Sequence, residues 1–208
     1  FETEIAEPDR DGGALRDRGG DIEDLVGRVP FERVWGLLVD DAPEPGLRPA
    51  APYAARNLTG NAPADLQAIT ARLSGEWGLS KLIDITDDEA HTDLARLSAT
   101  MISVVAQSAR VADGETTPVD PDLVATGATA ATRFLLEWRG EADPKHVQAI
   151  DTYWICTAEH GLNASTFAAR VVASTGADCA ASLSSAVGAL SGPLHGGANE
   201  AVLNMLDH

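Results

Sequence analysis

The segment Ser191-Gly192-Pro193-Leu194-His195-Gly196-Gly197-Ala198-Asn199-Glu200 sets one imidazole between a Gly-Pro break and a Gly-Gly pair, ahead of the last helical pattern. Pro193 lacks an amide donor and pushes Gly192 out of the helical region, so the chain must stop and restart here. His195 is therefore expected near a helix N-terminus, with Gly196 and Gly197 leaving room for a ligand to approach the backbone. Such a placement suits a neutral imidazole that donates a hydrogen bond. A histidine that merely caps its helix is the plainer alternative.

A second chemical cluster lies upstream, in Glu159-His160-Gly161-Leu162-Asn163-Ala164-Ser165-Thr166-Phe167. His160 is expected at the C-terminal end of a helix, where it could cap carbonyls or reach a ligand, and Asn163 adds an amide donor from the turn that follows. Ser165 fits the N-cap of the next helix. Preorganised donors of this kind polarise a carbonyl or stabilise an oxyanion. No cysteine and histidine spacing matches a zinc site, so no metal is expected.

These two segments resemble the histidine motif and the oxaloacetate-binding stretch of the citrate synthase family. Gly12-Gly13-Ala14-Leu15-Arg16-Asp17-Arg18-Gly19-Gly20-Asp21-Ile22-Glu23-Asp24-Leu25 is similar to that family's amino-terminal pattern, in which an aromatic residue is usual where Asp17 stands. The three motifs occur in family order over nearly the whole chain, and the flavour is closest to the actinobacterial second citrate synthases. The resemblance implies His195 as the catalytic donor to a thioester oxygen and His160 and Asn163 as oxaloacetate-binding residues. It also implies Ser165 as the residue that hydrogen-bonds His195 and fixes its tautomer.

The activity so implied is an acyltransferase that condenses acetyl-CoA with oxaloacetate to give citrate and CoA, with acetyl-CoA as substrate and no permanently bound cofactor. Two alternatives are a 2-methylcitrate synthase using propionyl-CoA and a non-catalytic helical dimerisation module. In the family, a second histidine, the proton-abstracting aspartate and the oxaloacetate-holding arginines follow the first histidine, in a small domain. This chain ends at His208. The expectation is a large-domain portion, truncated at its C-terminal side and essentially inactive alone, since loss of a general base costs a factor of ~10² to 10⁴.

The elements that must position these residues read as all-α, a bundle of stacked helices behind a short extended N-terminal segment. The pattern divides into an N-terminal segment with the first helices over 1–45, a Pro-rich loop over 46–62 and a helical core over 63–208. Helices are expected at 21–26, 30–39, 64–73, 87–109 and 120–138. Asp143-Pro144 opens another that runs to Glu159 and delivers His160 at its end. Two more follow at 165–174 and 179–190, the latter capped by Asp178. Residues 180–190 carry almost no long side chains, so another helix can come close to them, and the resemblance implies a homodimer packed through such Ala/Ser-rich helices.

Composition narrows the partners. A net charge of −17 with 15 Lys and Arg among 208 residues excludes an electrostatic nucleic-acid footprint. The same acidity repels anionic substrates unless local cations focus them. Cys156 and Cys179 both sit in helical, Ala-rich patterns and read as small buried hydrophobes. No apolar run reaches the ~20 residues a membrane span needs, and a cytoplasmic location is expected. Arg16 and Arg18 could stand near the site entrance or pair with Asp21 and Glu23, while His91 and His146 read as solvent-facing. His208 is terminal.

Overall fold

The computed structural model describes residues 3–8, 15–198, 202 and 205. Its N-terminal strands β1 (Ala6–Pro8), β2 (Leu15–Asp17) and β3 (Gly20–Asp21) form a small antiparallel sheet in that order. Arg18 and Gly19 both take positive φ, 46° and 84°, which gives the two-residue hairpin turn between β2 and β3. Strand alternation then turns Arg16 outward and Asp17 inward, and Asp17 is completely buried. Arg18 does not meet Asp21 or Glu23. Its Nε lies 3.7 Å from Asp41 at the end of the second helix, while Asp21 caps the first.

All further described elements are helical, and the fold class is all-α: α1 (Ile22–Leu25), α2 (Phe31–Asp40), α3 (Ala62–Trp77), α4 (Asp87–Ala112), α5 (Pro121–Ala125), α6 (Ala130–Arg139), α7 (Pro144–Cys156), α8 (Ala164–Ala173) and α9 (Cys179–Leu190), with a 3₁₀ turn at Leu82–Asp84. The single helix expected over 120–138 is two. At Gly127 a Cβ would lie 2.7 Å from Arg133 Cγ, and Thr129 caps a fresh start by accepting from Thr132 N. α7 also stops short of its expected end, at Cys156, so His160 belongs to the turn after the helix.

Two clusters form the core. Ile69 and Leu73 of α3, Leu97 and Val104 of α4, and Cys179 and Ala180 of α9 make one. Ala106 of α4 packs with Phe134 and Leu135 of α6 in the other, flanked by Val147, Ile150 and Trp154 of α7. Trp154 meets Phe31 and Phe134 edge-on at centroid distances of 5.3 and 5.4 Å, which ties α7 to α2 and α6. Pro30 offers α2 no side-chain cap, and Asp151 of α7 supplies one from outside by accepting from Phe31 N at 2.9 Å.

The small side chains of α9 do permit close approach, and the neighbours are α3 and α8 of the same chain. Ser184 Oγ donates to the Gln67 carbonyl at 3.0 Å, and a Cβ on Gly188 would sit 2.5 Å from Gln67 Nε2. Ser182, Ser184 and Val187 are buried in this way. Apart from Leu190 at the end of α9, the large apolar side chains left exposed in this region, Phe167 and Val171, belong to α8. Cys179 is buried as expected, but Cys156 is exposed, because the end of α7 turns it outward. His146 is exposed, and His91 is half-exposed with its Nδ1 3.3 Å from Asp40. No helix among the described residues is long and apolar enough to cross a membrane.

Candidate active site

Asp178 fixes the helix that leads to His195. Its carboxylate accepts from Ala181 N at 2.9 Å as the N-cap of α9, from Ser74 Oγ at 2.9 Å and from Lys81 Nζ at 2.7 Å. Burial pushes its pKa up, but the Lys81 ammonium, the Ala181 amide and the Ser74 hydroxyl outweigh burial and hold the carboxyl below its ordinary value. α9 ends at Leu190, and the chain then coils through a turn in which the Gly192 carbonyl accepts from both His195 N and Gly197 N, at 3.0 and 3.2 Å. Helical backbone resumes at Gly197, so His195 does stand at a helix start.

The turn itself requires the glycines beside it. A Cβ on Gly196 would lie 2.6 Å from the Leu190 carbonyl and 2.8 Å from Leu190 Cδ1, so this glycine lets the turn fold back onto the end of α9. Gly197 packs similarly against the Gly192 carbonyl, at 3.0 Å. The missing side chains set the position of His195 from behind.

The second cluster arrives from the turn between α7 and α8. Gly161 and Leu162 both have positive φ, 86° and 35°, which reverses the chain sharply. The Glu159 carboxylate holds this reversal. Its Oε1 accepts from His160 N and Gly161 N, each at 2.9 Å, and its Oε2 accepts from Thr166 Oγ1 at 3.3 Å. The N-cap of α8 is Asn163, not Ser165: Asn163 Oδ1 accepts from Thr166 N at 2.8 Å. His160 is left exposed on the turn, with its ring available to solvent or ligand.

Ser165, thereby freed from capping, joins the two clusters. Its Oγ lies 2.9 Å from His195 Nε2 and donates to Asn163 Oδ1 at 2.7 Å. A hydroxyl has one proton, and while Asn163 Oδ1 receives it the Ser165 oxygen accepts from His195 Nε2–H. Nδ1 of His195 is then the nitrogen available to a ligand. It donates when the ring also carries a proton there, or when the Ser165 hydroxyl turns from Asn163 to Nε2 and moves the ring proton to Nδ1. The structure thus brings together His195, Ser165 and Asn163 in one hydrogen-bonded chain, with His160 three residues before Asn163. No group of three or more His, Cys, Asp or Glu that could hold a metal occurs among the described residues.

Two site residues escaped the sequence reading. Glu159 gave only the signal of an acid before a glycine-containing turn, and its anchoring of that turn depends on where α8 starts. Asp17 signalled itself as the departure from an aromatic residue. Its two carboxylate oxygens are buried and have no hydrogen-bond partner among the described residues. Burial, and after it the charge of Glu159, pushes its pKa up from 3.8 to about 6.

Over residues 1–208 the sequence matches the family described as citrate synthase, C-terminal domain. The chain belongs to the citrate synthase family. It is 55% identical over 209 residues to a Mycobacterium tuberculosis protein that bears the provisional name citrate synthase 2, covering 100% of this chain and 55% of that relative. It is 35% identical to the citrate synthase of Haloferax volcanii, covering 99% of this chain and 58% of the relative. A 2-methylcitrate synthase of Shewanella oneidensis is 32% identical, with 99% and 57% covered. The fold superposes with a TM-score of 0.82 on the citrate synthase of Thermoplasma acidophilum, solved with carboxymethyl coenzyme A and oxaloacetate, at 24% identity. For the citrate synthase of Thermotoga maritima the TM-score is 0.70 at 25% identity, and in both cases all of this chain and 57% of the other are covered. The chain spans a little over half the length of these citrate synthase relatives.

Proposed function

We propose that this chain supplies the His195 donor and the His160–Ser165 oxaloacetate shelf of a citrate synthase-type condensation. In that reaction acetyl-CoA loses a methyl proton, the resulting enol or enolate carbon attacks the ketone of oxaloacetate, and hydrolysis of the thioester releases citrate and CoA. His195 Nδ1 would donate to the thioester oxygen as negative charge gathers there, and His160 with the Asn163 amide would bind and polarise oxaloacetate. The observation that carries this reading is the His195–Ser165–Asn163 hydrogen-bonded chain, which links the proposed acyl-CoA donor directly to the proposed oxaloacetate shelf.

Abstraction of the proton needs an uncommitted carboxylate base and tight oxaloacetate binding needs cations; the Glu159 carboxylate is committed to holding the His160 turn, and the residues assigned to the site above include no cation. We therefore expect the 208-residue chain to bind oxaloacetate weakly and to turn over slowly, if at all. Titration calorimetry of oxaloacetate into the chain and into His160→Ala tests the shelf. Saturable binding that the substitution abolishes supports it, and equal binding by both proteins refutes it. Similarity to a 2-methylcitrate synthase favours propionyl-CoA as the second candidate acyl donor. We further infer a homodimer built on the outer face of α8, where Phe167 and Val171, four residues apart, are 52% and 48% exposed.

A further inference from the structure

We propose that the cavity between the Pro-rich loop, α4, α5 and α6 is a second ligand site, which takes a small molecule with an apolar body and a protonated amine that pairs with Glu137. The cavity measures about 680 Å³, within the range of roughly 300–1,000 Å³ usual for small-molecule sites. None of His160, Asn163, Ser165 and His195 lines it, so it lies apart from the condensation site. Apolar side chains make most of its wall: Leu47 and Leu58 from the loop, Ile102 and Val111 from α4, Val124 from α5 and Phe134 from α6.

Against that wall stands a carboxylate with no counter-ion. Glu137 Oε1 accepts from Ser103 Oγ at 2.7 Å and from Gln107 Nε2 at 3.0 Å, and Oε2 has no partner among the described residues. Burial pushes the Glu137 pKa up, and the groups that pull it back down are Ser103 and Gln107, both neutral. The cations nearby brace the walls instead. Arg110 donates to the Thr117 and Trp138 carbonyls at 2.8 and 3.0 Å, and its Nη2 lies 3.6 Å from Glu115. Arg133 donates to the Gly127 carbonyl at 2.9 Å and stands 3.6 Å from Glu32. Arg48 and Glu115 also line the cavity, but both are exposed and water screens their charges. The half-buried Glu137 carboxylate therefore dominates the choice of ligand, because a charge-assisted hydrogen bond gains most in apolar surroundings. A protonated amine supplies the missing counter-ion, and a hydrocarbon body covers Ile102 and Phe134.

Gln107 carries the site to the loop. Its Nε2 also donates to the Tyr53 carbonyl at 2.8 Å and its Oε1 accepts from Ala55 N at 3.0 Å, so the amide that touches Glu137 fastens the loop to α4. Phenylpropylamine, phenylpropanol and phenylpropionate share a body and differ in the head. Each is titrated into the chain by amide NMR in about 0.15 M salt, where the diffuse pull of the net charge of −17 on any amine is screened. The amine should saturate, about ten-fold or more tighter than the alcohol and the carboxylate, with the largest shifts at Ala55, Ile102, Gln107 and Phe134. Glu137→Gln keeps an acceptor for Ser103 and Gln107. It should remove the advantage of the amine while phenylpropanol binding and the rest of the amide spectrum stay those of wild type.

No saturable binding of the amine, equal amine binding by wild type and Glu137→Gln, or shifts centred on His195 would overturn the proposal. Tighter binding of the carboxylate overturns it as well, and assigns the cavity to anions met by Arg48.

Discussion

Asp178→Ala removes three contacts at once, and its cost can be worked out contact by contact. Loss of the α9 N-cap costs roughly 1 kcal/mol. The Ser74 hydroxyl, half-buried, loses its acceptor for about 1 kcal/mol more. The Lys81 side chain is 55% exposed and regains water, so its ion pair, although only 2.7 Å long, is discounted to about 1 kcal/mol. The sum is roughly 3 kcal/mol, a large share of a marginal fold, and with a urea dependence of about 2–3 kcal/mol per molar it lowers the unfolding midpoint by about 1 M. Asp178→Asn keeps the cap and should lose about a third of that. The carboxyl is held below its ordinary pKa of 3.8, so its stabilisation is fully present above that value and disappears as pH falls through the lower folded value. Urea unfolding followed by circular dichroism at pH 7 and at pH 3 measures both effects. A midpoint shift under 0.3 M at pH 7, or a gap between the proteins that persists undiminished at low pH, would refute the reasoning.

Other substitutions probe the turn and the outer face. Gly196→Ala should cost about 1–3 kcal/mol and displace His195 from Ser165, because a Cβ would meet the Leu190 carbonyl at 2.6 Å. Gly75→Ala, with nothing within 4 Å of the new Cβ inside α3, should instead stabilise by about 0.5–1 kcal/mol, so thermal melts of the pair separate crowding from backbone freedom. Val171→Asp should weaken self-association by about a hundred-fold in sedimentation equilibrium, and an unchanged association constant would remove α8 from the interface.

The local sequence determined much of this protein. Asp143-Pro144, Asp178 and Gly192-Pro193 each start or stop the backbone through chemistry confined to neighbouring residues, and α7, α9 and the His195 turn lie where those signals put them. The motifs around His195, His160, Asn163 and Ser165 were likewise legible, because turn glycines and polar donors in short order are a local pattern. Where local signals were weak or misleading, the reading missed. The Thr126–Thr129 break looked helical because Gly127 is tolerated in a helix, and only its close fit against Arg133 marks the interruption. The cap of α8 could have been Asn163 or Ser165 by composition alone.

Tertiary structure decided that cap and, through it, the site. With Asn163 on the helix start, Ser165 can face His195 thirty residues away, a contact that depends on α8 packing along α9. It also decided that Gly196 serves the fold before any ligand, that α9 spends its small residues on α3 and α8, and that Lys81 reaches Asp178 across ninety-seven positions. The burial of Asp17 belongs to the same class. A carboxylate's charge and pKa are set by what surrounds it in space, and no spacing rule along the chain carries that information.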